Sequence, residues 1–289
     1  MFCERNVRIL FLCLFTCLSI VFAGCGTQST IGSHGGSSFN ETLIWSDEFN
    51  PSEGVNQPSS TNWSYRTGIG NGSELEIYCG KASASPCDSE QPNAFSDNDG
   101  FLHIAARRVA SNSYTSAMIW TQGLQSFQYG RMEARMKLPS VAGFWPAFWM
   151  LGNNFNQYDQ STWPECGEID VMETHALSPV TVLGSIHGLG FVGQQIVHKY
   201  SMLANSTISS EFHSYGILWS PKKIEFYIDD PSNIYSSVTP ESLPQGAVWP
   251  FDGQKFFFVL NMSVWSPASS SQEEMLVDYV RVWREETAD

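Results

Sequence analysis

The sequence predicts an all-β protein, a sandwich of two antiparallel sheets, and three features of its composition support this prediction. Aromatic residues make up 13% of the chain, with 10 Trp, whereas charged residues make up only 15%. The 23 Gly and 14 Pro are spread along the sequence, and no long amphipathic helical pattern is visible. The length of 289 residues suits one large domain. Many short strands joined by turns are typical of such a composition.

Strand-like runs separated by turn residues recur along most of the chain. The clearest alternation lies in residues 129–138, where Met132, Ala134 and Met136 share one face and charged residues occupy the other. Residues 143–152 are apolar throughout, which indicates a buried strand. The other predicted strands cover residues 42–49, 100–109, 211–220, 222–230, 254–264 and 273–284. One curved sheet of such a sandwich leaves a concave outer face in which a polymer can lie.

The first 24 residues are predicted to be a signal peptide. Two arginines precede an apolar run, residues 9–23, that is too short for a comfortable membrane span. The small residues before Cys25 resemble the lipobox of bacterial lipoproteins, in which that cysteine is lipidated, and ordinary cleavage near Ala23 is the alternative. Residues 25–40 have the composition of a flexible linker. The folded domain is therefore predicted to cover residues 41–289.

The charge of the chain restricts its partners. A net charge of −14, with only 15 Lys and Arg, disfavours nucleic acid because a phosphate backbone would be repelled. A neutral ligand with many hydroxyls fits better, since Trp and Tyr rings can stack on its apolar faces.

The cysteine spacing predicts a disulfide. Cys79 and Cys87 bracket a short loop, which in an exported protein indicates a bridge between them. Cys166 is left over within the domain, and no paired Cys and His clusters indicate a zinc site.

The segment "GEIDVMETHA" carries three acidic residues, Glu168, Asp170 and Glu173, in a strand-like run. Plain alternation would turn Glu173 into the core, and burying a lone carboxylate there would cost several kcal/mol. A β-bulge at Val171–Met172 resolves the conflict, because two residues then count as one and Glu173 returns to the face of Glu168. The sequence therefore predicts three carboxylates on one face.

The predicted geometry indicates a reaction type. With the bulge, the backbones of Glu168 and Glu173 lie about 13 Å apart. Inward-leaning side chains bring the carboxyls to about 5–6 Å, close to the roughly 5–5.5 Å of a retaining glycosidase. Asp170 lies between them, and so many like charges at short range should retain one proton at neutral pH. A solvated acidic face without chemistry is the alternative for the three acids taken alone.

The wider segment "WPECGEIDVMETHA" resembles the signature of glycoside hydrolase family 16, with Met172 as the optional extra residue. The bulged form is similar to the laminarinase-type branch, the endo-1,3-β-glucanases. Further stretches agree with the family in order: "WSDEFN", "NWSYRTG", "SELEIY", "YGRMEARMKLP", "GFWPAFWMLG", "GSIHG" and "VDYVRVW". Two stretches depart from it, "SAM" at 116–118 and the segment that follows Asn261.

The resemblance implies a β-jelly roll and an endo-acting hydrolase that cleaves internal β-1,3-glucosidic bonds of a laminarin-like glucan with retention. Glu168 is then the nucleophile and Glu173 the acid and base. Asp170 is expected to hydrogen-bond a catalytic Glu, and His187 to orient Asp170 or the sugar. The chemistry requires no cofactor.

The resemblance also implies residues that contact the substrate. The tryptophans Trp145 and Trp163 match positions that line the sugars before the cleavage point, with core packing as the alternative for Trp145. Glu76 matches a position that contacts sugar hydroxyls, or is a surface charge. Arg131 reaches the cleft or forms a cross-strand ion pair. Further candidates are Trp120 and Trp265. Glu48 and Asp278 match a structural calcium site between the first and last strands.

Other functions remain open on the same scaffold. These are hydrolysis of mixed-linkage glucan or of a galactan such as agarose, transglycosylation, and binding of glucan by a non-catalytic lipoprotein. The non-catalytic lipoprotein is the least favoured of these alternatives, because all three carboxylates are present. We expect an exported monomer that is an outer-membrane or cell-surface lipoprotein, or else secreted or periplasmic, with membrane contact only through lipidated Cys25.

Overall fold

In the part of the chain that the structure describes, the fold consists of β-strands and one short 3-10 helix (Pro240–Ser242). The computed structural model describes residues 40–51, 56–70, 73–81, 84–158, 160–174, 181–193, 197–201, 209 and 211–286, all within the unit Ser37–Asp289. The predicted signal peptide, Cys25 and nearly all of the linker lie outside these residues. The strands are β1 (Glu41–Asp47), β2 (Ser64–Arg66), β3 (Gly68–Ile69), β4 (Glu76–Tyr78), β5 (Ala94–Ser96), β6 (Leu102–Ala110), β7 (Ser113–Ser116), β8 (Met118–Trp120), β9 (Gly130–Lys137), β10 (Phe144–Gly152), β11 (Glu168–Glu173), β12 (Thr181–His187), β13 (Val197–Ser201), β14 (His213–Ser220), β15 (Lys223–Ile228), β16 (Ile234–Val238), β17 (Phe256–Val264) and β18 (Gln272–Glu285).

The strands form two sheets, which confirms the predicted sandwich. The first sheet has eleven strands in the order β16-β15-β14-β9-β18-β6-β7-β4-β3, with β1 paired to β18 and β5 to β6. The second has seven strands in the order β13-β12-β11-β10-β17-β8-β2. Pairing is antiparallel except between β4 and β7. No helix among the residues described here is long and apolar enough to cross a membrane.

The core lies between the two sheets and follows the alternation of the strands. Met132, Ala134 and Met136 of β9 are fully buried there, as their spacing predicts. Phe258 and Leu260 of β17 meet them from the seven-stranded sheet. Burying each large apolar side chain contributes about 1.5–3 kcal/mol, so this double layer supplies most of the driving force for folding.

Strand β10 is apolar on both faces because both faces have apolar neighbours. Phe148 and Met150 point into the core and are fully buried. Trp145, Trp149 and Leu151 lie on the opposite, outer face of the seven-stranded sheet and line a cleft there. A continuous apolar run therefore forms the wall of the core and the floor of the cleft at the same time.

The predicted disulfide between Cys79 and Cys87 is present, with the two Cα atoms 5.6 Å apart. It closes the loop that follows β4. Cys166 is a free, fully buried thiol.

Candidate active site

The three acids of β11 line one cleft because the strand contains the predicted bulge. Asp170 pairs with Ser185 of β12, whereas Glu173 pairs with Leu183, so three steps along β11 match two along β12. Val171 and Met172 are both buried in the core, 2% and 0% exposed. Glu168, Asp170 and Glu173 consequently all line the cleft on the outer face of the sheet.

A glycine introduces the catalytic strand. Gly167 has a φ angle of +76°, a left-handed conformation that side chains with a Cβ rarely adopt. A Cβ at this position would also lie 2.8 Å from Cγ of Pro250 and 3.0 Å from Cζ of Phe256. This tight turn delivers Glu168 as the first residue of β11.

Each of the first two acids has a short hydrogen bond from a neighbouring element. Nε1 of Trp163 donates to Oε2 of Glu168 at 2.7 Å. The Ser185 hydroxyl donates to Oδ2 of Asp170 at 2.6 Å, and Nε2 of His187 lies 2.9 Å from the same oxygen. Asp170 is almost completely shielded from solvent, at 2% exposure. It is thus held in one orientation by two donors from β12.

The third acid is held less tightly. The Ser185 hydroxyl lies 3.5 Å from Oε2 of Glu173, a longer contact than the one between Trp163 and Glu168. The indole of Trp145 also lowers the pKa of Glu173, but less than burial and Asp170 raise it. The strength of a hydrogen bond falls with distance, so hydrogen bonding favours a charged Glu168 more strongly than a charged Glu173.

Electrostatic interactions retain a proton in this cluster. Burial, and after it the negative charge of Asp170, raises the pKa of Glu168 well above its ordinary value, and the Trp163 hydrogen bond opposes the rise. The same two causes, in the same order, raise the pKa of Glu173. Since carboxyls this close cannot all ionise freely, the site can hold one carboxylate and one protonated acid at the same pH.

The pKa of His187 is raised above the ordinary value for a histidine. Burial lowers the pKa of His187, but its hydrogen bond to Asp170 and the charge of Asp170 outweigh burial and raise the pKa above the ordinary value. When it is protonated, His187 balances the negative charge of Asp170. The predicted role of His187 in orienting Asp170 agrees with this geometry.

The cleft has a volume of about 500 Å³ and an aromatic lining. Five of the seven predicted contact residues line it: Trp120, Trp145, Trp163, Trp265 and His187. Trp145 and Trp265 pack edge to face with their ring centroids 5.2 Å apart. Trp149 also lines the cleft, and its Nε1 donates a hydrogen bond to the amide oxygen of Asn261 at 2.7 Å.

Two predicted contact residues are not part of the cleft lining. Glu76 is neither a sugar contact nor a surface charge: it is 2% exposed and accepts a hydrogen bond from the backbone N–H of Val264 at 2.7 Å. Glu74, two residues earlier, lines the cleft in its place. The prediction of Glu76 rested on the family resemblance alone, which did not distinguish it from the neighbouring Glu74.

Arg131 belongs to the eleven-stranded sheet, away from the cleft. Its Nε lies 2.7 Å from Oε2 of Glu41, and a second ion pair joins it to Glu133 at 3.4 Å. Its guanidinium also covers the ring of Trp283. The cross-strand ion pair, the alternative given for this residue, is therefore correct, because β9 pairs within the other sheet.

Several residues of the cleft escaped the sequence interpretation. Ser185 lies two positions before His187 on β12, so alternation would have placed it on the same face. Asn261 and Ser263 are polar positions that alternate with core residues of β17, so alternation would have placed them on the cleft face as well. Arg66 and Glu74 come from short segments without a visible pattern.

The calcium ligands predicted from the resemblance do not fit a cation in this structure. The carboxylate of Glu48 accepts two hydrogen bonds from Arg281, at 2.9 and 2.7 Å. The carboxylate of Asp278 pairs with Arg135. A calcium ion would have to displace an arginine from each side chain, and this argues against the predicted site.

Comparison with known proteins agrees with this geometry. The sequence matches the family described as glycosyl hydrolases family 16 over residues 81–281. A β-glucanase of Rhodothermus marinus is 33% identical over 259 residues, which cover 84% of this chain and 85% of that protein. The glucan endo-1,3-β-glucosidase A1 of Niallia circulans is 32% identical over 84% of this chain, which spans only 38% of that longer protein.

Solved structures show the same relationship. The laminarinase catalytic domain of Thermotoga maritima MSB8 superposes with a TM-score of 0.73 at 33% identity, covering 86% of this chain and 100% of that one. SCLam, a non-specific endo-β-1,3(4)-glucanase, superposes with a TM-score of 0.70 at 28% identity, covering 86% and 92%. The chain therefore belongs to glycosyl hydrolases family 16 and is a glycoside hydrolase.

Proposed function

We propose that this enzyme is an endo-acting β-1,3-glucanase that hydrolyses laminarin-like glucans with retention. The observation that carries this function is the bulge in β11, which brings Glu168 and Glu173 to one cleft with Asp170 between them. The similarity to a laminarinase and to an endo-1,3-β-glucosidase supports the substrate class. Trp120, Trp145, Trp163 and Trp265 offer stacking surfaces for several sugar units along an internal stretch of chain.

The first step forms a covalent intermediate. The Glu168 carboxylate, whose charged form the Trp163 hydrogen bond favours, attacks the anomeric carbon and forms a C–O bond as the glycosidic C–O bond breaks. Glu173 transfers its proton to the departing oxygen, and this keeps the leaving group neutral. Asp170 contributes by raising the pKa of Glu173, so that the proton is available near neutral pH.

The second step hydrolyses that intermediate. Glu173, now a carboxylate, takes a proton from a water molecule whose oxygen attacks the anomeric carbon. The bond to Glu168 breaks, and Glu168 leaves as a carboxylate. Two inversions at one carbon give overall retention.

The charge of the cleft favours a neutral substrate. Among the described lining residues, Arg66 is cationic, whereas Glu74 and the three catalytic acids are acidic. A sulfated galactan would be repelled by this surface. Mixed-linkage glucan is the second candidate, because a non-specific endo-β-1,3(4)-glucanase shares the fold. Transglycosylation differs only in that a sugar hydroxyl replaces water in the second step.

Product analysis on laminarin, lichenan, agarose and carrageenan tests this function. We expect laminarin to be cut internally, giving a rapid fall in viscosity and a ladder of β-1,3-linked oligosaccharides. Lichenan cleaved at a comparable rate would favour the mixed-linkage alternative. Cleavage of agarose or carrageenan without cleavage of laminarin would contradict the proposal.

We also propose that the enzyme acts outside the cytoplasm as a monomer. Residues 1–24 serve as the signal peptide, Cys25 carries the lipid, and residues 25–40 tether the domain. The Cys79–Cys87 disulfide supports export, because such bonds persist in oxidising compartments. Replacing Cys25 with Ala should move the protein from the membrane fraction to the soluble fraction. An unchanged distribution would contradict lipidation.

A further inference from the structure

Strand β17 extends beyond its neighbour β8. Met118, the first residue of β8, pairs with Asn261, and β17 continues to Val264 with β10 alone as a strand partner. The backbone N–H and C=O groups of Met262 and Val264 on the open side therefore need other partners, because a buried unpaired backbone group is costly.

Side chains and loop backbone replace the missing strand. The Ser116 hydroxyl donates to the carbonyl oxygen of Met262 at 2.6 Å. The N–H of Leu75 donates to the carbonyl oxygen of Val264 at 2.9 Å. The N–H of Val264 donates to Oε2 of Glu76 at 2.7 Å. Glu76 is 2% exposed, so this bond is shielded from competing water.

The residues on either side of Val264 form part of the cleft wall. Ser263 and Trp265 both line the cleft, since they alternate with the core position of Val264. Trp265 packs edge to face against Trp145, which in turn interacts with Glu173. A contact that holds the backbone of Val264 in place therefore also holds Ser263 and Trp265 in place. Through Trp145, this part of the cleft wall extends to Glu173.

We propose that Glu76 is a positioning residue, which takes the place of a strand partner for β17 and thereby holds Ser263 and Trp265 against the bound polysaccharide. This inference rests on the proposed function, because it assigns the wall to sugar binding. Glu76 touches neither the substrate nor the reacting atoms. It acts through the backbone of Val264.

The charge state of Glu76 gives this role a pH dependence. Burial raises the pKa of Glu76 to about 7, the Val264 hydrogen bond opposes the rise, and the charge of Glu74 adds to it. Its second oxygen, Oε1, is buried without a partner. The other titratable groups near it are Tyr78 on β4, which also opposes the rise, and Tyr114 on β7. The Tyr114 hydroxyl contacts Arg108 and Ala268 instead of Glu76.

The sign of the effect follows from the direction of the shift. A carboxyl whose pKa is raised by folding stabilises the fold fully below about 4.5, its unfolded value, and this stabilisation is lost as pH rises through about 7. Ionised Glu76 favours arrangements that admit water to Oε1, and these loosen the end of β17. Binding of glucan should therefore weaken as pH rises from 6 to 8.5.

Two substitutions of Glu76 distinguish its role as a hydrogen-bond acceptor from the effect of its charge. Glu76→Gln keeps an acceptor for the Val264 N–H and cannot ionise, so KM for laminarin should match the wild type at pH 6. Glu76→Leu removes the acceptor, and KM should rise about three- to tenfold, as expected for one lost buried hydrogen bond. The kcat should change by less than about twofold, because the acids of β11 are untouched. Equal KM values for all three proteins would overturn the inference, as would a Gln variant as impaired as the Leu variant.

Glu133→Leu is the matched control for lost stability. Glu133 is another buried carboxyl, which accepts hydrogen bonds from Tyr227 at 2.7 Å and Tyr279 at 2.6 Å in the eleven-stranded sheet. Its loss should lower the melting temperature and leave KM unchanged. A KM that rises equally in Glu133→Leu would show that general destabilisation explains the Glu76 result, and would overturn the inference.

A binding measurement decides the question even if Glu76→Leu does not fold. In the inactive Glu168→Gln background, the Kd for a laminarin oligosaccharide should rise more steeply between pH 6 and 8.5 with Glu76 present than with Glu76→Gln. Parallel pH dependence in both proteins would contradict the positioning role. Wild-type enzyme that neither binds nor cleaves laminarin would instead contradict the proposed function, so the two failures are distinguishable.

Discussion

Nε2 of His187 lies 2.9 Å from Oδ2 of Asp170, whose side chain is only 2% exposed. Asp170 in turn raises the pKa of both Glu168 and Glu173 through its charge. His187 therefore influences the catalytic acids without contacting the bond that breaks. Its own pKa is raised because the hydrogen bond and charge of Asp170 outweigh the opposing effect of burial.

His187→Asn should reduce kcat/KM for laminarin about 10- to 100-fold, the range expected for losing one charge-assisted hydrogen bond. The variant should also be less stable than the wild type at low pH. A histidine whose pKa is raised by folding stabilises the fold fully below about 6.5, and this stabilisation is lost as pH rises through the higher folded value. The melting temperatures of the wild type and His187→Asn should therefore converge as the pH rises from 5.5 to 9.

The control for that series is His213→Asn, which removes a histidine paired with Asp229 on the other sheet. Its activity on laminarin should equal that of the wild type. A gap in melting temperature between wild type and His187→Asn that stays constant with pH would mean that His187 is not charged in the folded enzyme.

Trp163→Phe should shift the acid limb of the kcat/KM profile to higher pH. The indole N–H stabilises ionised Glu168, and removing it raises the pKa of a group that must be a carboxylate to attack. Trp265→Phe is the matched control, because Trp265 lines the cleft and packs against Trp145; it should alter KM and leave the acid limb in place. If the acid limb of the kcat/KM profile is the same in the wild type and in Trp163→Phe, Trp163 does not stabilise ionised Glu168.

Glu168→Gln should fold, bind laminarin and lose at least about 10³-fold in kcat, because an amide cannot form the glycosyl–enzyme bond. Calorimetric titration with a laminarin oligosaccharide measures binding, and reducing-end release measures turnover. Turnover near the wild-type level would exclude Glu168 as the nucleophile.

Replacing Cys79 and Cys87 with Ala should lower the free energy of unfolding by about 2–3 kcal/mol, the loop-closure entropy of a short bridge. Urea denaturation measures this change. Dithiothreitol should destabilise the wild type by a similar amount and leave the double variant unaffected. If dithiothreitol leaves the free energy of unfolding of the wild type unchanged, the Cys79–Cys87 disulfide does not stabilise the fold as predicted.

The sequence predicted those elements whose patterns are local. Alternation placed Met132, Ala134 and Met136 in the core, and all three are fully buried. The bulge was predictable because a carboxylate in the core at Glu173 would be costly. The family resemblance then placed Trp145, Trp163 and His187 in the cleft, and Trp120 and Trp265 were further candidates. The structure finds all five there.

The errors concern relationships that a local pattern does not encode. Alternation placed Arg131 on an outward face but could not tell which of the two sheets contains β9. Glu74 and Glu76 are both outward by spacing, and only the three-dimensional course of the chain before β4 decides which one reaches the cleft. The two-residue strand β3 and the three-residue strands β2, β4, β5 and β8 are too short for a periodic signal.

Azide rescue tests the assignment of the two glutamates most directly. With an activated aryl β-laminaribioside, Glu168→Gly should react with azide in one displacement and release the α-glycosyl azide. Glu173→Gly retains the nucleophile, so azide should attack the glycosyl–enzyme and release the β-glycosyl azide. The same anomer from both variants, or the two anomers exchanged, would contradict Glu168 as nucleophile and Glu173 as acid and base.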